Sequence, residues 1–99
     1  MAGKKLNWSK KARQELQEIL RFYRLRNGNN VYSRKLFQEF RSAQKRVEKN
    51  EFIGQRHEDT DLRFVVVVNT FQMFYRIGKK RNHVVTVWDG RRDLDDLKF

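Results

Sequence analysis

At 99 residues, with hydrophobic residues at 38% and aromatics at 13%, the chain has material for one domain with a modest core and not for two. A formal net charge of +11 and a sequence pI of about 10.5 favour polyanions or acidic proteins as partners. The absence of cysteine excludes disulfides, thiolate catalysis and cysteine-ligated zinc, and no run approaches the ~18 apolar residues of a membrane span. The basic start, Met1-Ala2-Gly3-Lys4-Lys5, leads into no apolar signal region, so a cytoplasmic location is expected.

Lys5-Leu6-Asn7-Trp8 reads as a short edge strand with Trp8 buried. Ser9 follows at an N-cap position, where its hydroxyl accepts from a free N–H of a first helical turn. From Lys10 to about Arg26, Ala12, Leu16, Ile19, Leu20 and Tyr23 recur on one face of an amphipathic helix. Asn27-Gly28-Asn29-Asn30 stops it, and Asn30 is the expected cap of a second helix. That helix runs from about Val31 to Lys49, with Tyr32, Leu36, Phe40, Ala43 and Val47 as its stripe. The short link predicts an antiparallel helical hairpin. Asn50–Asp61 reads as a polar connection with Phe52-Ile53 as an apolar anchor and Gly54 as a bend.

Leu62–Asn69 is almost continuously apolar and β-branched, as in a strand covered on both faces. In the next run Phe71, Met73, Tyr75 and Ile77 share one face, while Gln72, Phe74 and Arg76 share the other. His83–Asp89 is a third β-rich run, ended by the turn signal Asp89-Gly90. The links are too short for parallel crossovers, so the three runs form an antiparallel meander. The helical stripe is expected on the Phe71, Met73, Tyr75 and Ile77 face. The fold class is α+β: an N-terminal helical hairpin on one face of a small, mostly antiparallel sheet, within one domain over 1–99. The residues from Asp93 to Phe99 read as one helical turn or a tail.

The charge is uneven. Residues 1–50 hold 14 Lys+Arg against 4 Asp+Glu, and residues 51–99 hold 9 against 8. Within the second half, Arg76, Lys79, Lys80, Arg81, Arg91 and Arg92 gather around the meander's turns and exit. These cations suit phosphate clamping or a charged protein target, with Phe74 or Trp88 available to stack on a base. The alternative is a sheet edge defended by charge. His57-Glu58-Asp59 with Asp61 lacks the spaced pair that holds catalytic metals and reads as a solvated acidic loop, so no metal is expected. No phosphate-binding glycine loop, nucleophile elbow or other cofactor motif stands out, and no cofactor is expected. His83, beside Arg81 and Asn82, is the one candidate general base for RNA chemistry.

The Trp8-Ser9 strand end, the helical hairpin, Phe52-Ile53-Gly54, Leu62-Arg63, Phe74-Tyr75-Arg76-Ile77 and Asp89-Gly90-Arg91-Arg92-Asp93 together resemble the RelE/ParE toxin superfamily. These are small toxins of bacterial type II toxin–antitoxin modules. The resemblance spans nearly the whole chain. Prolines usual beside the Phe-Ile-Gly and Gly-Arg-Arg-Asp segments are replaced by Glu51 and Leu94.

The resemblance implies one of two mechanisms and a partner. RelE-like members are metal-independent, ribosome-dependent endoribonucleases in which a 2′-hydroxyl attacks the neighbouring phosphate and basic side chains stabilise the charge. In that case Arg92 and Arg76 serve the scissile phosphate and His83 or Lys79 assists. ParE-like members instead poison DNA gyrase. The outward arginine of cleaving relatives falls at Gln72, and the tail offers Lys98 and Phe99 where tyrosine or histidine is usual. The Phe-Tyr-Arg-Ile and Gly-Arg-Arg-Asp wording is closer to the ParE-like branch, which is the favoured reading. The partner is a cognate antitoxin whose acidic and apolar side chains would mask the basic rim and the cleft between sheet and helices. A housekeeping nucleic-acid-binding module is the third reading.

Overall fold

The computed structural model describes residues 4–89. Strand β1 is Leu6–Trp8, helix α1 Lys10–Asn27, helix α2 Val31–Lys49, β2 Gln55–Arg56, β3 Leu62–Val68, β4 Phe71–Arg76 and β5 Asn82–Asp89. The strands form one sheet in the order β1-β5-β4-β3-β2. β3, β4 and β5 are the predicted antiparallel meander. β1 adds in parallel to β5, with Leu6 opposite Asn82 and Trp8 opposite Val84. The sheet is therefore mixed, and a helical hairpin is the crossover that parallel pairing demands.

Ser9 starts α1 as predicted, its Oγ accepting from the Ala12 N–H at 3.0 Å. The same hydroxyl donates to the Val85 carbonyl at 3.2 Å, so one cap fastens the helix to β5. Gly28 ends α1 in the left-handed region (φ 71°), its N–H returning to the Arg24 carbonyl. The second cap differs from expectation. The Asn30 side chain makes no capping bond; Asn29 Oδ1 accepts from the Val31 N–H at 3.0 Å instead. Asn29 and Asn30 are chemically equivalent candidates, and the backbone path of the turn decides between them.

The core forms where the stripes meet the sheet. Leu36, Phe40, Ala43 and Val47 of α2 and Ala12 and Leu16 of α1 pack on Val65, Val67, Phe71, Met73, Tyr75, Val84 and Val87. The Phe40 and Phe71 rings meet edge-on at 6.2 Å. Trp8, expected buried, is half-buried, its indole N–H donating to Gln44 Oε1 at 3.0 Å.

Two further expectations are corrected in the polar connection. It contains a two-residue strand, β2, paired with Phe64 and Arg63. Phe52 and Ile53 are not buried anchors, being 62% and 46% exposed, and the Phe52 ring lies under the Arg63 guanidinium, 5.3 Å from its centre. Gly54 carries the anchoring: it is buried, and its N–H donates to Tyr75 Oη at 2.9 Å. A Cβ at Gly54 would stand 2.5 Å from that hydroxyl, so the sheet admits the chain only as backbone. Two adjacent hydrophobics look the same in sequence whether they are buried or flank a residue that is.

β3 is covered on both faces except at Val66, which is 51% exposed, and its register slips between Val66 and Val68. A second slip, between Phe74 and Tyr75, leaves Phe74 opposite Thr86 and Tyr75 opposite Val84. Such bulges re-aim side chains beyond them.

Candidate functional site

The sheet face turned away from the helices is ordered in rows by strand register. One row is Thr86, Phe74, Phe64 and Gln55, another Trp88, Gln72 and Val66, and a third His83, Arg76 and Leu62. The predicted alternation holds, since Tyr75 and Met73 lie in the core while Gln72 and Arg76 are half-buried and exposed. The expected stacking rings do not fit. Phe74 is 1% and Trp88 2% exposed. Phe74 is closed in by Phe64 at 5.3 Å and by the His57 ring, edge-on, at 5.3 Å. Aromatics next to a basic residue suggested an open platform. The loop after β2 instead folds over Phe74 and, with Phe64, makes a second, smaller apolar layer.

His57 is thus a packing residue, not part of a solvated loop. Glu58 and Asp59 remain exposed, as read from the sequence. Among the described residues no three His, Asp or Glu side chains gather as a metal site.

Arg76 is exposed, and its Nε donates to Asp61 Oδ2 at 2.8 Å. Asp61 belongs to the acidic segment before β3, a pairing that alternation along one strand cannot reveal. Half of each side chain's surface or so remains wet, so the pair is worth at most about 1 kcal/mol. It still places a carboxylate where a phosphate would approach. Cross-strand register sets His83, also exposed, directly opposite Arg76.

Lys79, Lys80 and Arg81 lie exposed in the β4–β5 link, next to Arg76 and His83. None of the three forms an ion pair among the described residues. β5 then carries the chain to Asp89, about 25 Å from Asn82 at the rise of a strand. Arg91 and Arg92 follow Asp89 and lie outside the described residues, as do Lys98 and Phe99. Nearness in sequence from Arg76 to Arg92 therefore does not by itself make one cluster in space.

The link's base is built with more care than its charges. Asn82, fully buried, accepts from the Gly78 N–H through Oδ1 and donates through Nδ2 to Glu51 Oε1, each at 3.1 Å. Lys4 Nζ reaches Glu51 Oε1 at 3.3 Å and donates to the Gly78 carbonyl at 2.7 Å. The Asn82 hydrogen bond, with Lys4 aiding, holds the Glu51 carboxyl below its ordinary value against the opposing effect of burial.

Two grooves flank the helices. One, of about 750 Å³, lies between α1 and the outer edge of β5, lined by Glu15, Glu18, Ile19, Phe22, Val87 and Asp89 among others. β1 covers only the first part of β5, and Glu15 guards the rest. Its Oε1 accepts from the Thr86 hydroxyl at 2.7 Å and from the Val87 N–H at 3.2 Å. The other, of about 490 Å³, runs along the hairpin, lined by Trp8, Leu20 and Phe37 together with Arg13, Arg41 and Lys45 and one carboxylate, Glu48.

A hairpin on one face of a small mixed sheet, with a basic link at one sheet end, defines a basic α+β domain of the RelE/ParE toxin type. A family model described as the ParE toxin of the type II toxin–antitoxin system, parDE, matches residues 6–94, and the chain belongs to that family. Among solved structures it is similar to a chain described as the chromosomal ParDE TA system from P. aeruginosa. The TM-score is 0.73 at 21% identity, covering 85% of this chain and 92% of that one. No curated protein sequence matches the chain. No helix of the described residues is long and apolar enough to cross a membrane.

Proposed function

We propose that this toxin arrests growth by binding DNA gyrase rather than by cutting RNA. The observation that carries the reading is the composition of the outward sheet face. Phosphodiester cleavage without a metal requires several donors converging on one phosphate. Here the centre of the face is Gln72, flanked by Val66 and Trp88, and in the neighbouring row Phe74 is buried and Phe64 half-buried. The one cation on the described strands of that face, Arg76, already has a carboxylate partner. Such a surface is suited to binding and poorly suited to catalysis.

The endoribonuclease reading retains one observation in its favour. His83 and Arg76 are cross-strand partners at an open sheet end beside Lys79, Lys80 and Arg81, an acid–base group next to cations. In that reading Arg92 supplies the second phosphate contact.

Family membership brings an antitoxin partner. The hairpin groove sets three cations against one carboxylate around apolar side chains, which suits an amphipathic acidic segment of that partner. The test of target is induction of the toxin followed by two assays in parallel: trapping of gyrase–DNA cleavage complexes and mapping of mRNA 5′ ends. Trapped gyrase with an unchanged 5′-end map is expected. Codon-phased cuts without trapped gyrase would overturn the proposal.

A further inference from the structure

The turn of the helical hairpin carries a surface that packing within the domain does not explain. Val31 and Leu25 are 72% and 66% exposed, more than any other large hydrophobic among the described residues, and Phe22 nearby is 52% exposed. Arg21, Arg24, Arg26, Arg34 and Lys35 surround them, all exposed, and the sequence has no acidic residue between Glu18 and Glu39. Arg24 and Arg26 have a local reason, since cations in the last turn of α1 complement its dipole. Arg34 has none. It closes the first turn of α2, which holds no acid, and there a cation opposes the dipole. Unfavourable charge and unfavourable apolar exposure at the same place are what a binding surface leaves in a free monomer.

That surface is rigid. Besides the Gly28 cap, Asn29 Nδ2 donates to the Asn27 carbonyl at 3.2 Å while its Oδ1 receives the Val31 N–H. Behind the turn, Tyr23 meets Phe22, Tyr32 and Phe71 edge-on at 5.0, 4.9 and 6.2 Å, which ties the tip to the sheet. A shallow depression of about 490 Å³ lies at the tip, lined by Arg24, Leu25, Gly28, Asn29 and Asn30. Apolar side chains held in place lose little freedom on docking.

We infer that the hairpin tip is the surface by which the toxin grips its target, an acidic protein surface with an apolar recess that receives Leu25 and Val31. The five cations call for an acidic partner. The exposed aliphatic residues favour protein over nucleic acid, because phosphate contacts are made by charged and polar groups and leave Leu25 and Val31 unused. The inference rests on the reading of this chain as a target-binding toxin and names the surface involved.

Two double variants test it: Leu25→Glu with Val31→Glu, and Arg34→Glu with Lys35→Glu. All four side chains are exposed, so circular-dichroism melts matching the wild type are expected and check the fold. Growth arrest on induction is read alongside binding of the purified protein to immobilised gyrase, to duplex DNA and to vesicles of mixed phosphatidylcholine and phosphatidylglycerol. Both variants are expected to lose growth arrest and to bind gyrase about tenfold or more weakly, the scale of a lost interface anchor. Wild-type arrest by both variants overturns the inference. So does a selective loss of DNA or vesicle binding, which would make the occupant a polyanion or a lipid surface. If the wild type arrests growth without binding gyrase, the gyrase assignment fails, and growth of the variants still decides whether the tip grips the target.

Discussion

Tyr75 offers the sharpest test of how this sheet is held. Its ring is fully buried, and its hydroxyl donates to the Glu51 carbonyl at 2.7 Å and accepts from the Gly54 N–H at 2.9 Å. Tyr75→Phe keeps the ring and removes both bonds. The buried Gly54 N–H is then left without its acceptor, which costs about 1–3 kcal/mol, and the lost Glu51 contact adds about 1 kcal/mol. The expected loss is about 2–4 kcal/mol, a large share of the ~5–15 kcal/mol of a small domain. At about 4–8 °C per kcal/mol, the melting temperature falls by at least about 8 °C. Urea unfolding at neutral pH, with an unchanged m-value, measures it. Burial is the main cause raising the Tyr75 pKa above its ordinary 10.0, opposed by the Gly54 hydrogen bond and by Arg63. The unfolded chain therefore ionises first as the solution becomes alkaline. Tyr75's contribution is intact below pH 10 and is lost as pH rises through the folded value. The phenylalanine variant lacks that part of the alkaline decline. A loss below about 0.5 kcal/mol, or alkaline limbs that run parallel, would refute the reasoning.

Three other outcomes are expected. Ser9→Ala loses about 1–2 kcal/mol because cap and sheet tie go together, Asn29→Ala loses about 1 kcal/mol, and Asn30→Ala stays within about 0.5 kcal/mol, all by urea midpoint. Asn82→Ala costs about 2 kcal/mol at neutral pH by orphaning the Gly78 N–H. Because the Glu51 pKa is lowered in the fold, its contribution is present above its ordinary 4.5 and is lost as pH falls through the folded value, so this variant's acid limb is flatter than the wild type's. Glu15→Ala loses about 1–2 kcal/mol, and Glu15→Gln, which keeps an acceptor oxygen, recovers most of it in the same measurement.

The sequence announced those parts of the fold that depend on one periodicity at a time. The stripe from Tyr32 to Val47 delimits α2 because every fourth residue must reach the sheet, and the alternation from Phe71 to Ile77 marks which face of β4 the helices cover. What stayed hidden depends on a second element arriving. Phe74 looked like an open ring until the loop bearing His57 closed over it. Arg76 looked like a free cation until Asp61, from the same loop, came within 2.8 Å. β2 is two polar residues long and has no pattern of its own; it exists because β3 offers it an edge. Parallel pairing of β1 was equally silent, since three residues carry no information on direction.

That parallel pairing has a consequence for how the molecule comes into being. Leu6–Trp8 is synthesised well before its partners Asn82–Val84, and the Ser9–Val85 tie spans 76 positions. The intervening hairpin forms from local contacts and is ready early, whereas the floor it rests on closes late. A chain interrupted before β5 leaves β1 and one edge of β4 without their partner and lacks the Val84 and Val87 part of the core. For this toxin the complete sheet thus waits on synthesis of β5.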